Sequence, residues 1–149
     1  MVISRIRSAA LRMLALAPIL LLTACPERDY VSIRPGSTRS HLVFQVSSVR
    51  DDPQSGYDGG IRIDHCGNPP DYTSIPVWGA SPALDLIAPP VHEIVFGQLP
   101  TGYEPLMNQP AAPMELVPGC YLVTLSGTGR TTFDVHSDGT VVERPPERH

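Results

Sequence analysis

Beyond residue 25 this chain cannot travel far without meeting a proline or a glycine. The longest stretch there that is free of both is Ser37–Asp52, and the whole sequence carries 17 prolines and 12 glycines in 149 residues. Proline removes a backbone donor and fixes φ, while glycine weakens any regular element that it interrupts. Such spacing excludes a helical bundle and leaves short strands joined by turns. Even inside Ser37–Asp52, Leu42, Phe44 and Val46 alternate with Val43, Gln45 and Ser47, the period of a strand with one buried face. No segment of about 11 residues carries a helical period.

The same alternation recurs along the chain. Gly60-Ile-Arg-Ile-Asp64 alternates more cleanly still, and Val91–Phe96 and Gly119–Leu125 are β-branched or aromatic runs bounded by proline and glycine. Arg130–His136 places Thr131, Phe133 and Val135 on one face, and Ser137-Asp138-Gly139-Thr140 reads as a two-residue hairpin of type I′. Gly119–Glu143 is therefore expected to be a three-strand meander. The fold class is all-β: a single small β-sandwich of about six to eight short antiparallel strands, with a small barrel as the alternative. A hydrophobic fraction of 42% over 149 residues suits one core and one domain. Two proline-rich segments, Asn68–Pro90 and Pro100–Pro118, read as long connections, either functional loops or irregular cover.

The first residues read as an address rather than a fold. Arg5, Arg7 and Arg12 precede the apolar run from Met13 to Leu22, the layout of a secretory signal peptide. Met13–Cys25 is too short for a membrane-spanning helix, which needs roughly 20 apolar residues, and Pro18 interrupts it. The run ends Leu22-Thr23-Ala24-Cys25, which resembles the lipobox of bacterial lipoprotein precursors. That resemblance covers residues 1–25 only. It implies diacylglycerol on the Cys25 sulfur, cleavage after Ala24 and acylation of the new amine. More than one acyl chain makes a stable anchor, where one chain binds marginally. Pro26 stands where an aspartate commonly retains such proteins at the inner membrane, so the family pattern implies an outer-membrane protein facing the periplasm. The organisation expected is a signal peptide over 1–24, a lipidated N-terminus and tether over 25–40, and the sandwich over 41–149. Within the tether, Tyr30-Val31-Ser32-Ile33 offers an alternative reading as an edge strand.

Every basic residue is an arginine, and from Cys25 onward 8 arginines face 15 acids, a net charge of −7 with histidines neutral. The charges are interspersed, which disfavours nucleic acid and gives no attraction to anionic lipid. With Cys25 acylated, Cys66 and Cys120 remain, and an even pair in an exported protein is expected to form a disulfide. A loop of this length would contribute about 4 kcal/mol by the chain-entropy model. The alternative is a reactive thiol or a metal ligand, although the chain contains no Cys-x-x-Cys. Pro118-Gly119-Cys120-Tyr121-Leu122-Val123, followed by Phe133-Asp-Val and Asp138-Gly139, resembles the terminal strands of transthyretin-like and other Ig-like modules, and supports fold class alone.

Motifs for chemistry are absent. No two of His41, His65, His92, His136 and His149 have ligand spacing, there is no Gly-x-Ser-x-Gly elbow, and without lysine no phosphate-loop pattern exists. Gly127-Thr128-Gly129-Arg130 and Asp51-Asp52 read as turns. No catalytic residue, metal site or cofactor is expected. The candidate partner-binding loop is Tyr72–Ser81, with Tyr72 and the single tryptophan, Trp78, as its aromatic anchors. The competing reading buries Trp78 at one end of the core. The expected function is a lipid-anchored envelope protein acting as a non-catalytic binding or structural module for an envelope protein or cell-wall component. Alternatives are a small-ligand binder, an inhibitor of lytic enzymes, or an enzyme with an unrecognised site.

Overall fold

The computed structural model describes residues 29–49, 52, 54–67, 75–85, 87–107, 109 and 115–145. Among these there is no helix, and nine strands form: β1 (Tyr30–Ile33), β2 (Val43–Ser47), β3 (Ile61–His65), β4 (Trp78–Pro82), β5 (Glu93–Val95), β6 (Tyr103–Pro105), β7 (Gly119–Leu125), β8 (Arg130–Val135) and β9 (Val141–Glu143). They make a three-stranded sheet, β1-β2-β5, and a six-stranded sheet, β6-β4-β3-β7-β8-β9. All pairings are antiparallel. The chain is an all-β sandwich.

Strand alternation builds the core. Val31, Ile33, Phe44, Val46 and Ile94 of the small sheet are buried against Ile61, Ile63, Ala80, Tyr121, Val123, Leu125, Phe133 and Val135 of the large one. Phe44 and Phe133, with ring centroids 6.1 Å apart, join the two sheets, and Tyr121 stacks on Phe133 at 5.3 Å. The expected meander is present as β7-β8-β9.

Three expectations change. The strand count rises to nine because each proline-rich segment contributes a strand, β4 and β6. Proline is tolerated there because Pro82 and Pro105 are the last residues of their strands, and β6 is an edge. Within the described part of the expected tether, Tyr30–Ile33 takes the edge-strand reading. Val31 and Ile33, 3% and 8% exposed, pair with Val46 and Phe44, so the sandwich includes Tyr30–Ile33 instead of starting at residue 41.

The third change is the β8–β9 hairpin. Its Gly139 N–H donates to the His136 carbonyl (3.0 Å) and His136 N–H to the Thr140 carbonyl (2.9 Å), with Gly139 at φ +86°. This is a three-residue loop, a turn centred on Ser137-Asp138 followed by a left-handed glycine, rather than type I′. The Asp138 carboxylate sets it by accepting from Thr140 N–H (2.9 Å) and Oγ1 (2.7 Å), and these bonds hold its pKa below the usual value.

Cys66 and Cys120 are joined as a disulfide with their Cα atoms 5.3 Å apart, inside the range that a disulfide requires. The bond ties the end of β3 to the start of β7, where Cys66 N–H already donates to the Cys120 carbonyl at 3.0 Å.

Candidate functional site

The two ends of the sandwich differ. At the disulfide end lies the His136–Thr140 turn, clipped to Arg39 by its N–H bond to the Gly139 carbonyl (2.9 Å). A shallow depression there is lined by Thr38, Arg39, Ser40, Asp138, Gly139 and Thr140.

At the other end the chain enters β1. Asp29 lies against the β7–β8 turn, where its carboxylate accepts hydrogen bonds from the amides of Thr128 and Gly127. Its backbone approaches Gly129 so closely that a β-carbon there would meet the Asp29 carbonyl oxygen at 2.6 Å. Burial and the Asp58 carboxylate raise the Asp29 pKa above the usual value, against the lowering effect of those two amides. Behind it, Tyr57 (2% exposed) donates to the Gly60 carbonyl at 2.6 Å and accepts from Ser126 N–H at 3.0 Å. Tyr103 adds a bond to the Gly59 carbonyl at 3.2 Å. Burial pushes both phenols up, Tyr57 to about 12.

The same end carries the β4–β5 connection. Ala83 N–H donates to the Gly102 carbonyl at 2.9 Å, and Ala88 packs on the Gly102 backbone. Both feet of the loop are thus held, and between them Leu84 and Ile87 are 100% and 101% exposed. An apolar cluster bounded by Pro82 and Pro89 was visible in the sequence, but nothing there distinguished a projecting loop from cover.

On the outer face of the large sheet, Arg62 and Asp64 form a bidentate pair, Nε–Oδ2 2.7 Å and Nη2–Oδ1 2.9 Å, with Asp64 only 3% exposed. They alternate with Ile61 and Ile63, a pattern that the sequence did show. Opposite Arg62, the Thr124 hydroxyl is buried with no hydrogen-bond partner among the described residues. Neighbouring cover comes from Gln109, whose side-chain oxygen accepts Gly79 N–H at 2.8 Å. The pair braces a sheet face, since a buried charge needs its partner.

At Trp78, one of the two expected aromatic anchors, the structure takes the burial reading. Trp78 opens strand β4, is 2% exposed and meets Phe96 at 5.6 Å between ring centroids. Its side chain is part of the core. Tyr72, Cys25 and His149 lie outside the described residues. His41, His65, His92 and His136 are exposed, with His65 against the Tyr121 ring at 4.9 Å. Among the described residues no three of His, Cys, Asp or Glu gather as a metal site would need, and no helix is long and apolar enough to cross a membrane.

The fold defines a disulfide-braced, two-sheet antiparallel β-sandwich with chemically distinct ends. No family model, curated protein or solved structure matches the chain.

Proposed function

We propose that this is a lipid-anchored bacterial envelope protein, held through acyl chains on Cys25 at the outer membrane and facing the periplasm. Its sandwich acts as a non-catalytic binding or structural module for an envelope protein or cell-wall component. The observation that carries this reading is positional. Asp29 is fixed at one end of the sandwich by the amides of Gly127 and Thr128, and it stands four positions beyond Cys25 in the sequence. A lipid on Cys25 is therefore held close to that end of the domain.

With that end toward the bilayer, the disulfide end meets a partner. Its surface is rigid, because the Cys66–Cys120 bond, the Arg39–Gly139 bond and the Asp138–Thr140 bonds hold it. Strand addition is the weaker mode of recognition. Edge strands β5, β6 and β9 have three residues each, edge strand β1 has four, and Pro105 ends β6, features that discourage an added strand.

The test is a mild-detergent pull-down of the lipidated protein from its own envelope, with crosslinking and mass spectrometry. A stoichiometric partner that crosslinks at residues 38–40 or 137–140, and is lost in an Arg39→Glu variant, supports the binding reading. A clean preparation with no partner contradicts it.

A further inference from the structure

We infer that the loop carrying Leu84 and Ile87 is a second membrane contact, seated in the headgroup layer of the same bilayer that holds Cys25. The inference rests on the lipid-anchor reading of Cys25 and adds a site of contact to it.

Three observations converge. First, the loop is apolar where solvent should favour polarity. Leu84 and Ile87 are 100% and 101% exposed while the feet, Ala83 and Ala88, are fixed on Gly102. A projecting apolar apex on a firm base marks an interaction site rather than loose chain.

Second, the apex sits at the end where the chain enters. Ile61, which starts β3, pairs with Ala80 near the end of β4 and with Leu125 at the end of β7. The β4–β5 loop and the β7–β8 turn that Asp29 caps thus emerge side by side. Their strands stand two places apart in the sheet, about 10 Å at ordinary strand spacing.

Third, the tether is short. Three residues lie between Cys25 and Asp29, so the four chain steps let the Cys25 backbone lie at most about 14 Å from the sandwich. With so little chain, anchoring holds this end against the bilayer surface, where an exposed leucine and isoleucine lose contact with water.

The charges suit a zwitterionic surface. Among the described residues, Asp29, Asp58 and Asp85 sit at this end, with Arg130 at the start of β8. The contact is therefore apolar rather than electrostatic. Asp85, between the two apolar residues, keeps the loop at interfacial depth, the depth at which amphipathic elements rest.

The experiment uses the full lipidated chain in phosphatidylcholine–phosphatidylethanolamine vesicles whose lipids carry bromine on the upper acyl carbons. Trp78 is core-buried and serves as an internal background. An Ile87→Trp variant changes only an exposed side chain, and Ser137→Trp places the same reporter at the opposite end. Vesicle flotation is read in parallel. The expected result is that all forms float and that bromolipid removes emission from Ile87→Trp but not from Ser137→Trp or the unsubstituted protein. Flotation without selective quenching of Ile87→Trp overturns the loop contact and leaves the anchor standing. Failure of the unsubstituted protein to float overturns both.

Discussion

The Tyr57 hydroxyl accepts the backbone N–H of Ser126 at 3.0 Å, joining residues 69 apart in sequence at the end where the chain enters the sandwich. It also donates to the Gly60 carbonyl at 2.6 Å. The same carbonyl accepts from Ser126 N–H at 2.9 Å, so one buried oxygen collects the β2–β3 connection and the end of β7.

This arrangement gives the fold an alkaline limit. Burial raises the Tyr57 pKa from 10.0 to about 12, so the folded state keeps a proton that the unfolded chain releases. Stability is full below pH 10 and falls as the pH rises from 10 toward 12. Denaturant titrations across that window will show the loss, and a Tyr57→Phe variant will show less of it. The variant should cost about 1 kcal/mol at neutral pH for the missing hydrogen bonds.

The Cys66–Cys120 bond should stabilise the sandwich without defining it. β3 and β7 are also held by ladder pairing from Ile61↔Leu125 to His65↔Tyr121. Replacing both cysteines by serine should cost about 2–4 kcal/mol and leave the far-ultraviolet spectrum of a β protein. Intact mass should place the oxidised body about 2 Da below its reduced form.

Trp78 should report a core. Its emission is expected at short wavelength and insensitive to aqueous iodide, because the ring is 2% exposed beside Phe96. Trp78→Ala should cost about 3–5 kcal/mol. Emission of a solvated indole would contradict the packing of β4.

The fate of Trp78 shows what the sequence carried and what it did not. Ile61–Ile63 and Thr131–Val135 are strands whose faces alternate locally, so their roles could be read from neighbours alone. In β2 (Val43–Ser47) the same reading found Phe44 and Val46 but not Val43 and Ser47, which are buried as well. Trp78–Pro82 has no such alternation. Glycine and proline surround it, and what makes it a strand is pairing with Ile61–Ile63, residues remote in the chain. The Asp138-Gly139 signal located a hairpin correctly but not its type, because the Asp138–Thr140 bonds select a longer loop. The loop end around Asp29, Asp58, Tyr57 and Tyr103 was illegible for the same reason. Its four residues come from three separate segments, each of which reads as an ordinary turn or strand end. The fully exposed Leu84 and Ile87 could be named from the sequence but not placed, since exposure depends on the feet of the loop at Gly102.

Anchoring of the sandwich through a lipid on Cys25, as proposed, is tested by membrane fractionation of the full-length protein beside its Cys25→Ser variant. The native chain should sediment with membranes and carry the mass of added acyl groups, while the variant should appear in the soluble fraction or keep its uncleaved leader without acyl mass. Acyl-free native protein, or a Cys25→Ser variant that is cleaved and still sediments with membranes, would contradict it.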